Sequence, residues 1–251
     1  MLLSSLRFQL FVLIISSLAQ SSHAAPAWEQ IHHQAGIKVY QRDSPLGDLP
    51  DFKAIGRIKA SLFDLIAVLQ DVNRRIEWVH RCSVSQMLKR YSEFELLLYH
   101  KTDSPWPISD RDVAIRTQLY ELKKERRYLA HFKGVKSPLV PKKKGVVRLP
   151  QIEGYYLFDY ISPQELEVTY FVHLDPGGAL PHWIVKRATK DLPTKTIIGL
   201  RQQIAKTRAA QTYKVFHKKW NPEHRPADVA EPSRPPYPKK SLLERLGITG
   251  T

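Results

Sequence analysis

A single cysteine, Cys82, stands in 251 residues. No internal disulfide can form, and a lone thiol excludes every multi-cysteine metal site. Cys82 reads as a small buried apolar side chain rather than a reactive thiol. The ten histidines show neither HExxH nor any other ligand spacing, so no metal and no other cofactor is expected. A GxSxG elbow, a GxxxxGKS/T loop and a GxGxxG turn are also missing, which sets aside the common hydrolase, P-loop and dinucleotide-binding classes. No repeat of about 20–50 residues is visible. The apolar run Phe8–Leu18 is too short to span a bilayer, which takes about 20 residues. It follows Arg7 and precedes Ser22-His23-Ala24, small residues where a signal peptidase cuts. Residues 1–24 are therefore expected to be a signal peptide, with export to the periplasm of a diderm bacterium or secretion from any other source.

Charge of one sign is scarce: 24 acidic against 39 basic side chains leave +15. Such a balance ordinarily raises nucleic acid as a partner. An exported chain rarely meets one, so no nucleic-acid partner is expected. Anionic lipid headgroups attract Lys and Arg through the same electrostatics, and a merely solubilising charge is the plain alternative.

What is present is period-2 alternation. In Glu165–Asp175, Leu166, Val168, Tyr170, Val172 and Leu174 share one face. The pattern recurs in Val113, Ile115, Thr117 and Leu119, in Phe94, Leu96, Leu98 and His100, in Tyr128, Ala130 and Phe132, and in Phe52, Ala54 and Ile58. Strands with one apolar and one wet face predict an antiparallel sheet. Ser61 with Asp64 forms an approximate capping box for a helix over 62–70. A second helix is expected after Gly178, with Pro181 in its first turn and Val185, Ala188, Leu192, Thr196, Leu200 and Ile204 on one face, broken at Pro193. A long helix closing an antiparallel sheet is an α+β arrangement. Residues 25–208 read as one domain. From 209 to 251, prolines among charges predict an extended or disordered basic tail, with a short helix possible at Ser241–Leu246.

Asp103, Asp110, Arg111 and Asp112 could be drawn as an acid/base site. Carboxylates beside an arginine stay ionised, however, and charges flanking a turn usually fix it, so catalysis there is not expected. The inward faces carry three isolated polar groups, His100, Thr117 and Tyr170. A cavity for an amphipathic molecule could use them, and a packed core could equally satisfy each.

Several stretches together resemble the START family of lipid-transfer domains. Trp28 and Gly36–Tyr40 are similar to its opening helix and first strand, and Asn73–Trp78 (NRRIEW) to its segment ending in Glu-Trp. Pro105–Asp112 (PWPISDRD) resembles its most recognisable motif, Lys144–Arg148 the exit of its Ω-loop, and Asp175–Pro181 with Trp183 and Lys190–Pro193 the approach to its C-terminal helix.

The resemblance implies a helix-grip fold, a curved antiparallel sheet wrapped around a long C-terminal helix with an internal hydrophobic tunnel. It implies non-enzymatic binding and transfer of one phospholipid, fatty acid or sterol by a monomer. The expected lining is Leu96, Leu98, His100, Ile115, Thr117, Tyr170, Val172, Val185, Leu192 and Thr196. The gate would be the loop 134–146 against the C-terminal helix, with Leu139 and Val140 as the loop's apolar tip and Lys142, Lys143 and Lys144 facing an anionic membrane. By spacing, Thr117 occupies the position of a basic residue in a buried acid/base pair of some members, so no headgroup contact carries over. The alternative is a helix-grip cyclase or aromatase using His100 or Tyr170 as acid or base.

Overall fold

The computed structural model describes residues 27–122, 127–178, 180–181, 183–184, 191–208 and 236–248. The expected signal peptide, Val185 and Ala188 of the closing helix, and residues 209–235 of the tail lie outside them. Strands β1 (Glu29–Gln34), β2 (Ile37–Arg42) and β3 (Asp51–Ile58) come first, then α1 (Leu62–Gln70) and a 3-10 helix (Val72–Glu77). Seven strands follow: β4 (Cys82–Ser92), β5 (Glu95–Thr102), β6 (Asp110–Leu122), β7 (Arg127–Val135), β8 (Val146–Arg148), β9 (Gln151–Ser162) and β10 (Glu165–Asp175). Helices α2 (Leu192–Arg208) and α3 (Lys240–Leu246) close the described chain. The sheet order is β1-β2-β3-β10-β9-β7-β6-β5-β4, antiparallel throughout except that β8 runs parallel to β6.

Alternation becomes architecture directly. The inward residues Phe52, Ala54, Leu96, Leu98, Val113, Ile115, Ala130, Phe132, Val168 and Val172 join Ile197, Leu200 and Ile204 of α2 in one core. α1 and the 3-10 helix carry the chain from β3 to the far edge strand β4. The Ser61 hydroxyl accepts from Asp64 N, and the Asp64 carboxylate accepts from Ser61 N, the reciprocal box that starts α1.

Three expectations change. The opening segment is a strand, not a helix: Ala35 and Gly36 take positive φ (53° and 69°), the hairpin geometry that pairs β1 with β2. At Pro193, where a break is expected, residue 191 is a bend and α2 starts at Leu192. Pro193 lies in the first turn of α2, where a missing N–H costs nothing. Part of the tail is ordered, because α3 lays Leu243, Leu246 and Ile248 on the outer face of the sheet against Leu122, Leu129, Tyr155, Leu157 and Phe171. Val140 is not an apolar tip; it packs beneath its loop on Leu97, Tyr99 and Ala114.

Candidate functional site

The inner face of the β5–β9 half of the sheet meets α1 and the 3-10 helix around a cavity of about 20 Å³, room for roughly one water. Leu98, Ile115 and Thr117, all expected at the site, line it together with Leu69, Arg75, Ala130, Phe132 and Tyr156. Leu96, Tyr170 and Val172 sit in the surrounding core, with Leu192 packed on it part-buried. Thr196 of α2 is fully buried.

Arg75 is the residue that sequence reasoning missed. A 3-10 helix has three residues per turn, so Val72, Arg75 and Trp78 eclipse one another and all three are buried. That period of three was present in the sequence, hidden inside the NRRIEW stretch. The Arg75 guanidinium lies 5.2 Å from the Trp78 ring. Its Nε has no hydrogen-bond partner among the described residues, and no carboxylate there pairs with it. An arginine only 9 % exposed without an anion is costly, since taking a charge out of water costs several kcal/mol unless something compensates.

Other polar atoms point the same way. Trp78 Nε1 and Thr196 Oγ1 are buried without partners among the described residues. They sit on segments in close contact, for a Cβ on Gly199 of α2 would fall 2.2 Å from the Trp78 carbonyl oxygen. Only glycine allows that approach, so Gly199 sets the depth at which α2 covers the site.

Aromatic rings wall the cavity. Tyr156 stacks on Tyr170 at 4.6 Å and meets Phe132 at 5.9 Å and Trp78 at 6.3 Å. Burial pushes the Tyr156 hydroxyl up to about 12, against the opposing charge of Arg75. Burial also pushes Tyr170 well above the usual phenol range. His100 is held elsewhere, its Nδ1 3.4 Å from Cys82 Sγ and its Nε2 3.1 Å from Thr102 Oγ1. Burial, with Arg75 adding to it, pushes His100 down to about 3. Burial raises the Cys82 thiol to about 11, which keeps it protonated and unreactive at neutral pH. None of these groups titrates near neutrality, as a working acid or base should.

The two segments expected to gate the site are fastened by consecutive residues of β6. Arg111 donates to the carbonyls of Ser109, Pro176 and Gly177, tying down the chain that leads toward α2. Asp112 accepts from Arg148, which also holds the carbonyls of Val140 and Pro141 in the 136–145 loop. Leu139 and Lys142, Lys143 and Lys144 stay exposed on that loop. The acid/base drawing of this motif dissolves accordingly, for Asp110 bonds Lys101 and Ser104 N while Asp112 serves Arg148 and Tyr99.

Comparison with known proteins agrees with this geometry. The START domain family model matches residues 15–204, a span that begins inside the expected signal peptide. An uncharacterised Pseudomonas aeruginosa protein is 29% identical over 182 residues, 72% of this chain and 89% of its own. Mouse phosphatidylcholine transfer protein is 26% identical over 168 residues, 65% of this chain and 77% of its own. The crystal structure of a STAR-related lipid transfer protein fragment from Xanthomonas axonopodis superposes with a TM-score of 0.64 at 29% identity, covering 71% of this chain and 98% of that one. With its helix-grip fold and a family match across most of its length, the chain belongs to the START domain family.

Proposed function

We propose that the protein binds one amphipathic lipid bearing an anionic group and carries it between membranes without transforming it. The observation that supports this most is Arg75, a buried guanidinium lacking a carboxylate among the described residues, at the inner end of an apolar interior. A phosphate or carboxylate would supply the missing anion with charge-assisted hydrogen bonds. Thr117, Thr196 and Trp78 Nε1 offer further polar contacts. That preference favours a phospholipid or fatty acid over a sterol, whose hydroxyl carries no charge. Acyl chains would lie between α2 and the sheet, each buried Å² contributing about 25 cal/mol. The cavity of about 20 Å³ means that loading separates α2 from the sheet, and the Arg111 and Arg148 fastenings are where that separation begins. Relatives named as lipid transfer proteins support the same reading. Export rests on the Phe8–Leu18 run and its Ser22-His23-Ala24 cleavage signal, and the expected monomer on the fold alone.

Carriage is tested by mixing the protein with donor vesicles of labelled phosphatidylglycerol and unlabelled acceptors. Transfer should rise in proportion to protein and saturate at one lipid per chain. Label that never leaves the donor, or that returns chemically altered, counts against carriage.

A further inference from the structure

His173, near the end of β10, is 1 % exposed, and its two ring nitrogens meet different surroundings. Nδ1 lies 2.9 Å from Asp51 Oδ1 and 3.0 Å from Ser44 Oγ. Asp51 is fully buried and is itself held by Arg42, whose Nε donates to Asp51 Oδ2 at 3.0 Å. A carboxylate paired with an arginine accepts and does not donate, so the imidazole proton sits on Nδ1 and Nε2 keeps its lone pair. That lone pair has no hydrogen-bond partner among the described residues. A buried acceptor left so is costly unless something donates to it.

His173 lines a cleft of about 310 Å³ between the loop 43–50 and the segment that follows β10, a volume on the scale of a small-molecule site. A Cβ on Gly47 would stand 4.0 Å from Nε2, so the glycine covers that atom without closing it off. Leu46, Leu49 and Leu180 give the lining its apolar part, and Asp48 and Asp175 bring two carboxylates. Neither carboxylate forms an ion pair among the described residues, and Asp175 accepts only from Gly177 N, at 2.9 Å. The arginines that touch these segments are engaged, Arg42 by Asp51 and Arg111 by the carbonyls of Pro176 and Gly177. Asp43, exposed on the same loop, adds to the negative sign.

We infer that this cleft binds a small organic cation, an alkylammonium whose N–H groups donate to Asp48, Asp175 and His173 Nε2 while its carbon chain lies on Leu46, Leu49 and Leu180. The charged side chains and the buried ring nitrogen all offer acceptors, so the ligand must supply the donors, and an anion would meet repulsion. A metal ion is a poor fit, because no three His, Cys, Asp or Glu side chains among the described residues converge to hold one. The cleft shares no lining residue with the cavity at Arg75 and selects the opposite charge. It therefore stands apart from the carriage reading. A free amine and the ammonium of an ethanolamine headgroup carry the same donors.

The test is hydrogen exchange of the full chain with hexylamine, 1-hexanol or hexanoate as the probe. Hexylamine should slow exchange over 43–50 and 173–178, and neither of the other two should do so at the same concentration. Soluble dihexanoyl-phosphatidylethanolamine tells the sources apart: stronger protection than hexylamine assigns the headgroup, and equal or weaker protection assigns the free amine. His173→Phe keeps the ring and removes Nε2, which should weaken hexylamine binding about tenfold. Gly47→Leu fills the cleft, leaves every polar group in place and should abolish the protection. Equal protection by 1-hexanol, protection confined to other segments, or parent-like hexylamine binding by Gly47→Leu overturns the site. Hexylamine protection of the cleft in a chain that transfers no lipid would uphold the site and overturn carriage alone.

Discussion

Arg148 grips Asp112 with two N–H groups, Nε to Oδ1 at 2.6 Å and Nη2 to Oδ2 at 3.2 Å, and gives two more to the carbonyls of Val140 and Pro141. A buried carboxylate on β6 is thereby the anchor of a surface loop. Replacing Arg148 with Met leaves Asp112 buried with only the Tyr99 hydroxyl as a side-chain partner, a loss of about 3 kcal/mol for an abandoned buried charge. Urea unfolding should register that loss, and hydrogen exchange should quicken across 136–145 before the rest of the sheet. Uniform quickening over all strands would mean that the pair holds the whole fold rather than the loop.

Arg75 should behave in the opposite sense. Its guanidinium has the Trp78 ring but no carboxylate beside it among the described residues, so Arg75→Met replaces a buried charge lacking an anion by an apolar side chain of similar length, a change that is often stabilising by about 1 kcal/mol or more. Thermal unfolding of lipid-free protein should show a raised midpoint. A variant that melts several degrees lower would show Arg75 to be part of the scaffold instead.

Gly199 can be read as a spacer. An added Cβ meets backbone, the Trp78 carbonyl oxygen at 2.2 Å, which no side-chain rotation relieves. Gly199→Ala should cost about 2 kcal/mol through overpacking even though alanine is the better helix former. If denaturation midpoints are unchanged, α2 does not need its close approach to Trp78.

Two groups give the fold separate acid limits. His100 is pushed down to about 3 by burial, against an ordinary value of 6.5. The unfolded chain takes up a proton that the folded chain refuses, so stability complete above 6.5 declines as pH falls from there toward 3, by up to about 1.4 kcal/mol per pH unit. Burial alone would raise Glu153, but hydrogen bonds from His131, Arg245 and Lys133 outweigh it and bring the carboxyl down to about 2, from 4.5. Its contribution is complete above 4.5 and disappears toward 2. Burial also lowers His80, so unfolding free energy between pH 6.5 and 4.5 should become shallower, though not flat, in His100→Gln and keep its slope in Glu153→Gln. The reverse assignment would refute both readings.

The docked tail should add measurable stability. Leu243, Leu246 and Ile248 are buried on the outer face, and Arg245 pairs with Glu153. Leu246→Ala should cost about 2 kcal/mol, and removal of residues 236–251 should cost no more than the docking of the helix itself. An unchanged melting curve after truncation would place the tail outside the cooperative fold.

Much of the scaffold was legible because a sheet with one dry face writes its period into the chain. Leu166 to Leu174 and Val113 to Leu119 declared their inward side, and Ser61 with Asp64 declared where α1 starts. The site was less legible. Leu98, Ile115 and Thr117 followed from alternation, but Arg75 obeys a period of three that has meaning only once the segment is known to be a 3-10 helix. Val140 and Leu139 are neighbours on an irregular loop, where no period says which one turns in. The tail's apolar residues lacked a visible partner, since Tyr155, Leu157 and Phe171 lie on the face that alternation marks as mostly wet. The opening strand was mistaken for a helix for a related reason, because β1 is a mostly exposed strand whose pairing depends on the turn at Ala35-Gly36.

The most direct test of the central claim is native mass spectrometry of the protein purified from its own host, beside Arg75→Met and Arg75→Lys prepared in the same way. One lipid per chain, carrying a phosphate or carboxylate, should accompany the parent. Arg75→Met should lose that lipid or exchange it for an uncharged one, and Arg75→Lys should keep part of it. A parent that repeatedly emerges empty, or an Arg75→Met variant holding the same anionic lipid at the same occupancy, would contradict the assignment of Arg75 as the headgroup contact of a lipid carrier.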